Sequence, residues 1–191
     1  MNDNLRSIFS CISVISSLAF LGLITRLHFF PKKYNPVKNT VSDYAVMPSG
    51  KPYPFTAVSG AVSSLSLAIA IAAGVKAASI SVILFLVISS LARFSLIFFP
   101  TDVTGQISTK KGKIHLALAM IAFAGIAFAA GNFQLTAVDQ IIGQVVIFTA
   151  ILLLLGFLPK LRKIFGLLER IFLLSSITWL VVLGLELFFK R

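Results

Sequence analysis

Six stretches of this chain, at residues 7–25, 55–75, 77–99, 114–131, 140–158 and 171–189, each carry at most one Asp, Glu, Lys, Arg or His. An α-helix rises 1.5 Å per residue, so about 20 residues of this kind cross the roughly 30 Å hydrocarbon core of a bilayer. None of the stretches shows the two-residue alternation of membrane β-strands. The expected fold is therefore all-α: a polytopic transmembrane helical bundle of about six spans. It is read as a single domain over residues 1–191, with one long polar loop at 26–54.

Composition agrees with this reading. Hydrophobic residues make up 58% of the chain, charged residues 12%, and mean hydropathy is +0.98. A soluble domain of this size could not cover so much apolar surface. The net charge of +11 would suit a nucleic-acid binder, but the basic residues sit between apolar runs and build no basic helix or stacking platform. They read instead as topology signals and contacts to anionic headgroups. Membrane lipids are the expected partners, with a membrane protein as a further possible partner and no nucleic acid.

The first stretch is followed by Thr25-Arg26-Leu27-His28 rather than a small-residue cleavage site, and reads as an uncleaved span. Lysines and arginines then give an orientation. Loops 1, 3 and 5 hold Arg26, Lys32, Lys33, Lys38, Lys51, Lys110, Lys111, Lys113, Lys160, Arg162, Lys163 and Arg170. The opposite face holds Arg6, Lys76, Lys190 and Arg191. The positive-inside rule puts loops 1, 3 and 5 in the cytoplasm and both termini outside a multi-pass cell-membrane protein. Spans 2 and 4, rich in Ser, Ala and Gly, are expected at the centre, and spans 5 and 6 at the lipid periphery. Gln144 and Thr178 are expected to bond across helices, and Glu186 to pair with Lys190 four residues on.

Chemistry is expected where charge is costly. Arg93 lies seven residues before Pro100, roughly 10 Å down a helix from the interface. A charge at that depth costs about 2.5–3.5 kcal/mol and is usually paired or functional. Asp102, His115 and Asp43 approach the same face, because odd spans end and even spans begin there. Ser42, Tyr44, Arg26 and His28 are secondary candidates. Asp43 and Asp102 also suit ordinary capping roles. His28 and His115 lie on one face, but nothing else supports a haem, so no cofactor is expected. Cys11 stands alone, so no intrachain disulfide forms and no metal site is expected. No P-loop, zincin or nucleophile-elbow pattern occurs, and the sequence leaves open whether the chain is an enzyme.

Three blocks carry a family resemblance. They are Asn35-Pro36-Val37-Lys38-Asn39-Thr40-Val41-Ser42-Asp43-Tyr44-Ala45-Val46; Arg93 with Phe99-Pro100-Thr101-Asp102; and Gly112 with His115. In order and spacing they resemble the prokaryotic membrane family called domain of unknown function 998. The resemblance implies a six-span bundle with these positions as signature residues, and it implies no known activity or cofactor. Met47 stands before Pro48 where the pattern would place glycine. The leading functional expectation is binding, with or without acid–base modification, of an anionic lipid headgroup. Arg93 would hold phosphate, and His115 would handle a proton with Asp102 orienting it. The alternatives are an accessory subunit of a membrane complex and a small transporter or channel.

Overall fold

In the computed structural model, residues 2–29, 34–46, 51–75, 79–102 and 108–190 are described. They form six α-helices: α1 Asp3–His28, α2 Tyr53–Gly74, α3 Ile80–Ser95, α4 Lys110–Asn132, α5 Ala137–Leu155 and α6 Phe165–Phe189. Short 3-10 turns cover Ser42–Val46 and Arg162–Ile164, and no strand occurs among the described residues. Five of the helices are long and apolar enough to cross a membrane. The sixth, α3, has 16 residues, about 24 Å of helix, where the sequence predicts a span over 77–99. It gives way to turns that run through Leu96–Phe99 before Pro100.

Local chemistry sets the ends. Asn2 caps α1 by accepting from the Leu5 N–H at 3.2 Å, and Pro54 lies in the first turn of α2, where its missing N–H costs nothing. The Thr109 hydroxyl accepts from the Gly112 N–H at 3.1 Å and starts α4. Thr136 and Asp139 form a reciprocal capping box that starts α5.

Consecutive helices pack against one another, and α6 closes the ring on α1. Two glycines let backbones meet. A Cβ on Gly125 of α4 would stand 2.7 Å from the Phe85 carbonyl of α3, and one on Gly143 of α5 would overlap the Ala130 carbonyl of α4. Serines join the helices: Ser17 and Ser63 hydroxyls are 2.6 Å apart between α1 and α2. Ser89 donates to the Ala122 carbonyl at 2.7 Å, and Ser90 to the Ala61 carbonyl at 2.8 Å.

The order of burial departs from expectation. Helix α2 is central, but its companion is α6 rather than α4. Helix α6 also touches α2 and α4, and its Phe172, Trp179, Leu183 and Leu187 are fully enclosed. The reason is that lipid tails and a protein core are equally apolar, so a Leu- and Phe-rich helix does not announce which of the two it faces. Thr178 donates to its own helix at the Leu174 carbonyl, 2.9 Å away, and Gln144 is exposed. Thr149 makes the cross-helix contact instead, 2.8 Å from the Ser175 hydroxyl. Glu186 is not paired with Lys190; its carboxylate accepts from the Thr136 hydroxyl at 2.6 Å.

Candidate functional site

The loop between α1 and α2 is tied down by the first turns of α6. The Arg170 guanidinium donates to the carbonyls of Pro36 and Asn39 at 2.8 and 2.7 Å, to the Tyr34 hydroxyl at 3.0 Å and to His28 Nε2 at 2.9 Å. The Leu167 N–H donates to the Val37 carbonyl at 3.1 Å. Gly166 is needed here, because a Cβ would collide with the Asn39 carbonyl. Tyr44 is 1% exposed and stacks on Tyr34 with ring centroids 4.0 Å apart. Burial raises both phenols above their ordinary pKa, with Arg170 pulling the other way. They stay protonated, and the Tyr34 hydroxyl donates to the Thr40 carbonyl.

Within this loop Asp43 acts as a cap. Its Oδ2 accepts from the Thr40 N–H at 3.1 Å and from Asn39 Nδ2 at 2.9 Å, while its own N–H reaches the Thr40 hydroxyl at 3.2 Å. Asp102 does similar work across the α3–α4 turn. It accepts from the Thr109 N–H and hydroxyl, both at 2.7 Å. Gly112 leaves room for that carboxylate, which would overlap a Cβ at this position. Asp102 does not orient His115 by a hydrogen bond. The Phe99 carbonyl does, 2.6 Å from Nδ1. A carbonyl only accepts, so Nδ1 carries the proton, and whenever the ring is neutral Nε2 presents a lone pair. That Nε2 is buried and makes no hydrogen bond among the described residues.

Arg93 is 4% exposed. Its side chain lies against Gly60 of α2, where a Cβ would come within 2.6 Å of Nη1, and its guanidinium is 5.0 Å from the Phe20 ring centroid. Among the described residues it makes no hydrogen bond or ion pair, with Asp43 and Asp102 included. Glu169 of α6 is 6% exposed. Its Oε2 accepts from the Val41 N–H at 2.6 Å, and its second oxygen makes no hydrogen bond among the described residues.

Two adjoining cavities join these groups. The larger, about 440 Å³, lies at the end of the bundle where α3 finishes and α4 begins. Ser42, Asp43, Asp102, Lys113, His115, Arg162 and Glu169 line its polar part. Ala119, Met120, Phe123, Ala150, Leu153 and Leu154 on α4 and α5 line the apolar part. Of these, Met120 and Leu154 are also exposed at the bundle surface. The smaller cavity, about 40 Å³, holds Arg93, Tyr53 and Thr56. Ser42, His115, Ala119, Phe123 and Glu169 line both cavities. The small space takes about three waters or a few ligand oxygens.

The blocks that carried the resemblance thus meet at one end of the bundle, and a family model matches the chain over residues 14–186. The chain belongs to the family described as "Protein of unknown function (DUF998)". No curated protein and no solved structure matches it. The family match and the apolar helices together make this DUF998 chain an integral membrane protein.

Of the candidates in the DUF998 sequence, Asp43, Asp102, His115 and Ser42 line the larger cavity, and Arg93 lines the smaller one. Tyr44 anchors the loop from behind. His28 uses Nε2 to accept from Arg170 and Nδ1 to bond the Ile24 carbonyl at 3.1 Å. Arg26 is exposed in the last turn of α1. Met47 lies outside the described residues. Among the described residues no three His, Cys, Asp or Glu side chains converge as a metal-ligand set. Sequence reasoning missed Glu169 and assigned Arg170 to topology alone. The signal was present as an adjacent acid and base, Glu169-Arg170, that made span 6 appear to begin at residue 171.

Proposed function

We propose that this DUF998 protein binds an anionic amphiphile, with an acyl chain against the apolar wall of α4 and α5 and a headgroup anion at Arg93. The observation that carries the reading is Arg93 itself: enclosed, fixed by Gly60 and Phe20, and without a counter-charge among the described residues. A buried guanidinium offers a planar fork of donors that suits phosphate or carboxylate. The mixed lining of the larger cavity matches a molecule polar at one end and apolar along its length. Lys113 and Arg162 at the same cavity add attraction for an anionic headgroup.

The excess of basic residues at this end favours a cytoplasmic position for the site. A transport pathway has less support, because Ser17, Ser63, Ser89 and Ser90, deep in the bundle, bond to one another or to neighbouring carbonyls. The test is native mass spectrometry of the protein released from a native membrane extract. Wild type is expected to retain an anionic lipid that Arg93→Met loses, with both forms folded by circular dichroism. The same lipid at the same occupancy in both would refute the reading.

A further inference from the structure

The groups around the headgroup position differ in what they lack. Among the described residues Arg93 has donors to spare, whereas His115 Nε2 and the second oxygen of Glu169 are acceptors to which no donor is bonded. Both acceptors belong to side chains at least nine-tenths buried, and both side chains line the two cavities. A phosphodiester alone satisfies only the cation. It would leave the two acceptors desolvated and unbonded, which makes a ligand without donors a poor fit. The tautomer of His115 is held by the Phe99 carbonyl, so its acceptor is preset rather than adaptable. The Val41 N–H fixes the orientation of the Glu169 carboxyl group and so aims its second oxygen.

Resting on the anionic-amphiphile reading, we infer that the ligand's headgroup carries hydroxyl groups beside its phosphate, and that His115 and Glu169 select for them. The class is a polyol phosphodiester lipid. The hydroxyls donate to His115 Nε2 and to the free oxygen of Glu169, while a phosphate oxygen faces Arg93. Ser42, whose hydroxyl is 3.0 Å from that of Thr40, supplies a further small polar contact on the wall shared by both cavities. Selectivity of this kind is steep, because rejecting the analogue needs no clash. The unpaired acceptors do it.

Two lipids of equal charge separate this from simple anion binding. Phosphatidylglycerol and phosphatidylmethanol are both phosphodiester monoanions, and only the first has headgroup hydroxyls. The delipidated protein is presented with equimolar amounts of both in nanodiscs of otherwise zwitterionic phosphatidylcholine, and bound lipid is counted by native mass spectrometry. Wild type is expected to enrich phosphatidylglycerol about tenfold over phosphatidylmethanol. His115→Phe, and independently Glu169→Gln, are expected to bring that ratio to about threefold or less, with each variant folded by circular dichroism. The glutamine keeps an oxygen for the Val41 N–H and turns the other acceptor into a donor. Equal uptake of the two lipids by wild type would overturn the inference while leaving the Arg93 reading intact. Failure to enrich either lipid over phosphatidylcholine would overturn both. Selectivity that survives in a folded His115→Phe or Glu169→Gln protein would overturn the roles given to these residues.

Discussion

Two buried arginines sit in opposite halves of this bundle, and the chain treats them differently. Arg6 of α1 is 5% exposed, and its terminal nitrogens are used: Nη1 pairs with Asp3 at 2.7 Å and Nη2 donates to the Lys190 carbonyl at 2.5 Å. Gly74 makes the space in which it lies. Arg93 is equally enclosed and likewise rests on a glycine, Gly60, yet it has no acceptor among the described residues. Removing a guanidinium from water is costly in either place. At Arg6 the cost is offset by the chain's own atoms, which tie the start of α1 to the end of α6. At Arg93 no hydrogen bond or ion pair among the described residues offsets it, and the Phe20 ring is the neighbour that faces the cation. On the proposed reading, similar burial with opposite partnering separates a structural charge from one held for a ligand.

The largest expected effect comes from exchanging each arginine for methionine, which keeps an apolar stem of similar length. Arg93→Met should lower retained anionic lipid about thirtyfold or more, yet raise the thermal midpoint of the delipidated protein, because an unpaired buried charge has gone. Arg6→Met should leave lipid retention unchanged and lower the midpoint by an amount equivalent to about 1–3 kcal/mol. Melting curves and native mass spectra of the two variants together check the pair. Equal destabilisation by both would erase the distinction.

Next in size is Arg170→Ala. It removes the donors that hold Pro36, Asn39 and Tyr34, and thus frees the loop that supplies Thr40, Ser42 and Asp43 to the cavity. Amide exchange over residues 34–46 should accelerate about ten- to a hundredfold, with helix cores unaffected. A smaller effect is expected from Gly60→Ala, which pushes Arg93 from its seat through contacts that would be 2.6 and 2.7 Å. Lipid retention should fall roughly threefold with little loss of stability, since hydrogen bonds weaken steeply when misaligned. The smallest belongs to Ser63→Ala. Its hydroxyl is already matched by those of Ser13 and Ser17, so the midpoint should drop by about 0.6 kcal/mol equivalent and lipid retention should not change.

Much of this arrangement was legible in the sequence. Uncharged runs of about 20 residues announce the helices, and odd–even alternation brings Asp43, Asp102 and His115 to the end where α3 finishes. Arg93 is conspicuous because charge is rare at that depth. What the sequence concealed followed from two physical ambiguities. Apolarity does not distinguish lipid from protein, so α6 reads as peripheral although it fills the core. Charge at a span's edge reads as interface, so Glu169 and Arg170 fall outside span 6 although α6 extends through them. The expected partnership of Asp102 with His115 rested on shared location. In the fold a backbone carbonyl takes that position, and backbone acceptors leave no mark on a hydropathy pattern. The acid that lines Arg93's cavity, Glu169, comes from a helix 76 positions further along the chain.

On the proposed reading the counter-charge of Arg93 comes from a bound molecule. Solid-state NMR with guanidinium-15N-labelled protein and natural-abundance 31P lipid measures it directly, by nitrogen–phosphorus dephasing in native bilayers. Strong dephasing of one arginine signal is expected, at a separation of about 4 Å, that disappears in Arg93→Met and persists in Arg6→Met. An Arg93 signal that shows no phosphorus coupling in native membranes would contradict it.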